Sequence, residues 1–247
     1  MTDAPVLTVL HDGWGELVLN RPDRRNALEP QSAAALREGL AALLAGGARV
    51  VLLRGEGGTF CSGLDVDLFR GGGGWATDWT GFHRDLYACP ALVICALERY
   101  AINAGAALAL ASDLMVAGED AVLTVGEAAI GMHAPMNLAW LRLRAPESVA
   151  AQLALGAGRM RGSDLHRLGL AWALVPDAGV LAHAREAAER MAAWPAGTLA
   201  GIKAALRRPL PEGGDVFDAV QARPGEAGAM PSRVARPEIL ARPEIQG

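Results

Sequence analysis

The sequence predicts an α/β fold, because apolar runs of strand length alternate with segments of helical periodicity. RVVLLRG at 49–55 and ALVICAL at 91–97 are nearly continuous apolar runs, as expected for strands buried on both faces of a sheet. Strands that alternate with helices favour an α/β core. From Ala145 onward the pattern is mostly helical, so we expect a helical C-terminal region after that core.

Turn residues and spacing define the first elements. VLTVL at 6–10 and GELVLN at 15–20 flank the turn His11 to Gly15, which predicts two short strands joined by a turn. Apolar residues at helical spacing then run from Glu29 to Leu44, and Gly46-Gly47 ends that helix.

The middle of the chain contains two segments rich in small residues. GEGGTFCSGLD at 55–65 predicts a glycine-rich loop, and YAINAGAALALASD at 100–113 predicts a tight turn leading into an alanine-leucine helix. DLMVAG at 113–118 and AVLTVG at 121–126 predict two more strands. GGGGW at 71–75 predicts a loop; a flexible surface insertion is preferred, and a loop that opens over a ligand is the alternative.

The last third of the chain predicts helices at 145–156, 162–170 and 180–193. ARPEIL and ARPEIQ echo each other within 235–246. Because each proline disfavours a helical residue before it, these two copies predict short turns and not one long helix.

Composition excludes several classes of protein. The net charge is −4 and no basic block is present, so nucleic acid is not an expected partner. The three cysteines are odd in number and lack metal-ligand spacing, which favours reduced thiols and no metal site. The N-terminus has no basic region followed by an apolar core, and no apolar run approaches the roughly 20 residues of a membrane span. We therefore expect a soluble cytoplasmic protein without a membrane partner.

Several motifs in a fixed order resemble the crotonase family, also called the enoyl-CoA hydratase/isomerase superfamily. They match the opening strand and turn, the first oxyanion loop, the second oxyanion loop with its helix, the catalytic loop, a helix-turn near the end of the core, and the last lysine-bearing helix. In chain order these are LVLNRPDRRNAL at 17–28, GTFCSGLD at 58–65, CPALVIC at 89–95 with YAINAGAALALASDLMVA at 100–117, AVLTVGEAAIG at 121–131, SDLHRLGLAWALVP at 163–176, and IKAAL at 202–206.

The resemblance implies a crotonase-like core of ββα spiral units and a helical C-terminal trimerisation region. We place the core at 1–190 and the C-terminal region at 191–247. The family assembly that the resemblance implies is a homotrimer or a dimer of trimers, and the implied partner is an acyl-CoA thioester. Coenzyme A then enters as part of the substrate, with no separate cofactor and no metal.

By the same resemblance, the backbone N–H groups of Leu64 and Ala104 form an oxyanion hole. Two such donors stabilise the negative charge that develops on a thioester carbonyl oxygen, and a helix N-terminus favours that charge. Small residues at 103–107 let a ligand approach the backbone. On that segment alone, a tight connection between a strand and a helix is the alternative interpretation.

The sequence departs from the family at one of two expected carboxylates. Family hydratases carry a glutamate on the second oxyanion helix and another 20 positions further on; these positions are Ala107 and Glu127 here. Glu127 is therefore the predicted base. The family's proline-glycine pair beyond it is replaced by Ala134-Pro135, which alters the acyl pocket.

Other polar residues are weaker candidates. His133 is a second choice as acid or base, and Glu98 and Arg99 are expected to pair with each other or with a neighbouring subunit. Ser62 does not lie in a G-x-S-x-G motif and is expected to be a loop residue, and Cys61 a packed thiol.

Contacts to coenzyme A are also implied by resemblance. They are Arg24, Arg25, Ser62, Leu64, Asp65 and Lys203. The arginines suit phosphate through their planar fork of donors, although a solvated turn is the alternative for Arg24 and Arg25.

The leading functional hypothesis is an enzyme that isomerises, or hydrates, enoyl-CoA thioesters through a stabilised enolate. Isomerisation needs one carboxylate. Addition of water needs one group that activates the water and another that protonates the carbon, and Glu127 alone does not supply both. The alternatives are a non-catalytic acyl-CoA binding protein, and a decarboxylase or thioester hydrolase assisted by His133.

Overall fold

The computed structural model describes residues 4–68 and 75–207, which form nine strands and eight α-helices. The strands are β1 (Val6–Leu10), β2 (Trp14–Leu19), β3 (Val50–Gly55), β4 (Leu92–Leu97), β5 (Tyr100–Ile102), β6 (Leu114–Gly118), β7 (Val122–Thr124), β8 (Arg159–Arg161) and β9 (Ala173–Val175). The helices are α1 (Ser32–Ala45), α2 (Trp75–Ala88), α3 (Ala104–Ala111), α4 (Pro135–Arg144), α5 (Glu147–Ala154), α6 (Gly162–Arg167), α7 (Val180–Ala192) and α8 (Thr198–Leu206).

Six strands form the main sheet, in the order β1-β2-β3-β4-β6-β9. β1 and β2 are antiparallel because a short turn joins them, and His11 N donates to the carbonyl of Trp14 (2.8 Å). All other neighbours in this sheet are parallel, with β2 and β3 connected through α1 and β3 and β4 through the segment that contains α2. Such crossover connections bring the carboxyl ends of the parallel strands to one edge of the sheet.

Helices cover both faces of the central strands. On one face, Val51 and Val93 belong to a core shared with α1, α2, α3 and α4. On the other face, Leu52 and Ile94 pack with Val180 and other α7 residues. The alternation explains why β3 and β4 are apolar along their whole length.

β5, β7 and β8 form a second sheet of three strands, in the order β5-β7-β8. β5 pairs with β7 in parallel, and β7 pairs with β8 antiparallel. β5 leads directly into α3, so this small sheet sets where the helix begins.

The predicted α/β class is confirmed, and the structure adds elements that periodicity did not indicate. β8 and β9 lie in the half predicted to be mostly helical, and each has only three residues. The predicted boundary at residue 190 falls in the last turn of α7, which packs on the main sheet. Of the predicted loop at 71–75, residues 71–74 lie outside the described residues and Trp75 is the first described residue of α2. The repeat at 235–246 also lies outside the described residues.

Among the described residues, no helix is long and apolar enough to span a bilayer. Within the same ranges, no three His, Cys, Asp or Glu residues are grouped as a metal would require.

Candidate active site

Two loops meet where β3 and β4 end. The first, residues 56–65, follows β3, and the second runs from Glu98 to Asn103. Phe60 N donates to the carbonyl of Glu98 (2.9 Å), and Cys61 N donates to that of Tyr100 (2.9 Å). These bonds hold the two loops side by side.

Two glycines allow this close approach. A Cβ built on Gly105 would lie 2.6 Å from the carbonyl oxygen of Cys61, a separation that real Cβ atoms do not show. Gly63 has φ +99°, a left-handed conformation that favours glycine, and its Cβ would lie 3.0 Å from the carbonyl oxygen of Ile102. Larger residues at these positions would push the loops apart.

The predicted oxyanion donors lie on these loops. Within the described ranges, neither the Leu64 N–H nor the Ala104 N–H donates to another protein group, although the N–H groups of Leu28 and Asp65 beside Leu64 do. Ala104 is the first residue of α3, so its N–H is one of the groups that a helix leaves unpaired, at the positive end of the helix dipole. Both groups are therefore available to a ligand oxygen, and their role as oxyanion donors stays a prediction.

Asn103 caps α3 in an unusual conformation, with φ 51° and ψ −109°. Its Oδ1 accepts from Gly126 N (2.9 Å), and its own N donates to the carbonyl of Thr124 (2.9 Å). Hydrogen bonds on both sides thus hold a backbone geometry that costs a non-glycine residue energy. They connect the turn before α3 to the loop that carries Glu127.

Glu127 opens a 3-10 turn at 127–130 and is 7% exposed. Its Oε1 accepts a hydrogen bond from Nδ2 of Asn137 (2.8 Å), while its Oε2 is buried with no hydrogen-bond partner among the described residues. Burial raises the pKa of Glu127 from 4.5 to about 7, against the opposing effects of hydrogen bonds from its own backbone N–H and from Asn137. A carboxyl with this pKa can both take and return a proton near neutral pH.

Ala107 and His133 differ from Glu127 in chemistry and in burial. Ala107, which we predict to stand at the position of the second family carboxylate, is 1% exposed within α3. His133 is exposed. Ala134 and Pro135 begin α4, with Ala134 at φ 51°.

The structure brings most of the predicted coenzyme A contacts to one side of the first loop. Arg24 and Arg25 are exposed at a 3-10 turn, and within the described part of the chain neither forms an ion pair. Ser62 N donates to the carbonyl of Arg25 (3.1 Å), which fixes this turn beside the oxyanion loop. Asp65 Oδ2 accepts from the guanidinium of Arg21 (3.0 Å). These four predicted residues therefore lie near Leu64.

Lys203 lies elsewhere. It is 8% exposed on α8, with Nζ 2.6 Å from Asp113 Oδ2 and 2.7 Å from the carbonyl oxygen of Ala91. Ala91 precedes β4, whereas the two loops that carry Leu64 and Ala104 follow the ends of β3 and β4. A six-residue strand such as β4 spans about 20 Å, which separates Ala91 from those loops. Within one copy, Lys203 does not join the other predicted contacts.

The remaining candidate residues, Cys61, Glu98 and Arg99, differ in how far they are buried. Burial raises the pKa of Cys61 to about 12, so this thiol stays protonated inside the core. No ion pair joins Glu98 to Arg99 among the described residues; Arg99 is exposed, and Glu98 Oε2 is buried without a partner. Burial raises the pKa of Glu98 as well.

Sequence reasoning missed Asn137. It lies in the first turn of α4 and is 1% exposed, yet no motif marked it. A signal was present, because a single polar residue interrupts the otherwise apolar PMNLAWL at 135–141.

The comparisons with known proteins identify the family of this chain. The profile of the enoyl-CoA hydratase/isomerase family matches residues 11–216. A Rhodobacter capsulatus protein named "Probable enoyl-CoA hydratase" is 33% identical over 215 residues, which cover 82% of this chain and 82% of that protein. The 1,2-epoxyphenylacetyl-CoA isomerase of Escherichia coli K12 is 31% identical over 212 residues, covering 81% of each.

Solved structures show the same fold. The crystal structure of enoyl-CoA hydratase EchA1 from Mycobacterium marinum superposes with a TM-score of 0.70 at 30% identity, over 81% of this chain and 80% of that one. The expected crotonase fold is therefore confirmed, and this chain belongs to the enoyl-CoA hydratase/isomerase family.

Proposed function

We propose that this protein isomerises enoyl-CoA thioesters, with Glu127 as the acid/base group. The observation that carries the proposal is a buried carboxyl with one unpartnered oxygen, connected through Asn137 and Asn103 to the N-terminus of α3. The Ala104 N–H at that N-terminus and the nearby Leu64 N–H have no protein acceptor within the described ranges. A base and two oxyanion donors are what enolate chemistry requires.

In the proposed reaction, Glu127 carries a proton from one carbon of the substrate to another. The Glu127 carboxylate takes a proton from the α-carbon of a 3-enoyl-CoA, and the C–H electron pair moves into the conjugated enolate. The N–H groups of Leu64 and Ala104 bind the enolate oxygen. Glu127 then gives the proton to the γ-carbon, so the double bond moves to the 2,3 position and the carboxylate is restored.

The site favours isomerisation over hydration. Adding water to a 2-enoyl-CoA requires activation of the water and protonation of the α-carbon, which a second acid/base group makes easier. Ala107 carries no such group, and His133 is exposed whereas Glu127 is buried. We therefore expect isomerisation to be faster than hydration.

The family relatives support the substrate class. The matched profile is that of enoyl-CoA hydratases and isomerases, and one relative is an isomerase of a coenzyme A thioester. We assign Arg24 and Arg25 to the phosphates of coenzyme A, because both guanidinium groups are exposed beside the oxyanion loop.

The test is the exchange of substrate α-protons with deuterated water, followed by mass spectrometry on 3-enoyl-CoA thioesters. Glu127→Gln preserves the shape and removes the base, so exchange and isomerisation should fall by a factor of about 100 or more while thioester binding is retained. Glu119→Gln is the matched control, since it removes an exposed carboxylate and should leave the rate unchanged. Exchange at the parental rate in Glu127→Gln would refute the proposal; binding with neither exchange nor isomerisation in the parent would favour a binding protein.

A further inference from the structure

Asn137 holds Glu127 by one carboxyl oxygen. The side chain rises from the first turn of α4, and its Nδ2 donates to Glu127 Oε1 (2.8 Å) and to the carbonyl oxygen of Asn103 (3.0 Å). An amide nitrogen has two hydrogens, so both are used. Because Glu127 Oε1 and the Asn103 carbonyl oxygen are both acceptors, the atom of the amide that faces them is the nitrogen.

This arrangement makes the two oxygens of Glu127 different. Oε1 is held by the amide, whereas Oε2 is buried and has no partner among the described residues. The oxygen that accepts a hydrogen bond is the poorer proton acceptor, so Oε2 is left to exchange a proton with a ligand. The amide also connects this carboxyl to Asn103, the residue that precedes the Ala104 N–H.

The hydrogen bonds of Asn137 are one-sided. Its Nδ2 pairs two acceptors, whereas its own Oδ1 is buried with no donor among the described residues. An unsatisfied buried acceptor lowers stability, and the bonds from Nδ2 offset that cost by pairing Glu127 Oε1 and the Asn103 carbonyl. The polar contacts of Asn137 are therefore directed at the carboxyl of Glu127 and at the turn before α3.

We propose that Asn137 is a positioning residue for Glu127, which holds Oε1 so that Oε2 carries the transferred proton. The inference rests on the proposed function for the identity of the reaction. It also assigns Asn137 a measurable effect on the proton affinity of Glu127.

The groups around Glu127 determine how clearly the effect of Asn137 on its pKa can be measured. No charged side chain among the described residues contributes to its pKa shift; Asn137 on α4 donates to it, and His133 is exposed. Burial raises the pKa of Glu127, while hydrogen bonds from its own backbone N–H and from the Asn137 side chain oppose that rise. Removing that bond should raise the pKa further.

The experiment compares the parent with Asn137→Leu. The ligand-free proteins are titrated by NMR with carbon-13 in the glutamate carboxyl groups, and Glu127→Gln identifies the Glu127 signal. We expect the pKa of Glu127 to rise by about one unit or more in Asn137→Leu. The acidic limb of the pH profile for α-proton exchange should move upward by the same amount, while the dissociation constant of the thioester stays within about twofold.

Met136→Leu is the matched control, because Met136 is a buried neighbour on the same turn and the change conserves volume. It should leave both the titration and the exchange profile at parental values. Asn137→Ala replaces Asn137→Leu if the larger apolar side chain does not fold, and circular dichroism checks each variant.

The outcomes separate the two proposals. A Glu127 pKa in folded Asn137 variants equal to that of the parent would overturn the positioning role. A parent that neither isomerises nor exchanges an α-proton of any enoyl-CoA would overturn the proposed function instead, and the titration would still show whether Asn137 controls the proton of Glu127.

Discussion

At the residue scale, Glu127 should give the protein a pH-dependent loss of stability. Its pKa is about 7 when folded and about 4.5 when unfolded, so the folded state binds the proton more tightly. Stability is therefore full below pH 4.5 and is lost as the pH rises through 7. The shift corresponds to about 3 kcal/mol, of which about 2 to 3 kcal/mol falls between pH 5 and pH 8.

Urea unfolding of the parent and of Glu127→Gln at several pH values measures this contribution. The parent should lose about 2 to 3 kcal/mol relative to the variant between pH 5 and pH 8, because the glutamine has no proton to lose. Other groups titrate equally in both proteins and cancel in the difference. Parallel curves would show that Glu127 has an ordinary pKa, and the proposed base would lose its physical support.

Residue roles were only partly predictable from sequence. Glu127 was identified because it occupies a position that the family resemblance marks, and Ala107 because it departs from that pattern. Asn137 and the bonds of Asn103 were not predicted, since they depend on α4 passing beside the N-terminus of α3. A contact between segments distant in sequence has no local signature.

At the element scale, the junction between the first oxyanion loop and α3 should tolerate no side chain at Gly105. A Cβ there would lie 2.6 Å from the carbonyl oxygen and 2.8 Å from the Cβ of Cys61. Gly105→Ala should therefore destabilise the protein by about 1 to 3 kcal/mol and move Leu64 relative to Ala104. We expect thermal unfolding at a lower temperature, together with a loss of α-proton exchange.

Gly201→Ala is the matched control on α8. No atom lies within 4 Å of the Cβ that it adds, and the position is exposed in a helix. Alanine should therefore stabilise the protein by up to about 1 kcal/mol. If both substitutions changed the unfolding temperature alike, close approach of the two loops would not be the reason for glycine at 105.

Elements were more predictable than residue roles, for a physical reason. β3 and β4 are buried on both faces, so their apolar runs exceed what any surface segment shows. β8 and β9 have three residues each and carry no period of two that could be recognised. α4 was not predicted, because its N-cap is Ala134, which offers no capping side chain to mark the start of a helix.

At the scale of the whole molecule, the assembly remains a prediction. The family resemblance implies a homotrimer or a dimer of trimers, and one helix of the protomer has an apolar face that suits such contacts. Ile202 is 53% exposed and Leu206 is 77% exposed, four residues apart on one side of α8. Lys203, by contrast, is buried against the protomer, so α8 already uses its other side.

We therefore expect light scattering to give three or six times the 25.7 kDa chain mass at micromolar concentration. Covering each of these two side chains would contribute about 2 kcal/mol per copy. The double change Ile202→Asp with Leu206→Asp should lower the mass towards that of the monomer, because buried unpaired carboxylates oppose association. Ala204→Asp adds charge on the opposite side of the helix and should leave the mass unchanged. A parent that stays monomeric would refute the predicted assembly, and equal dissociation by both variants would place the contact elsewhere than on this face of α8.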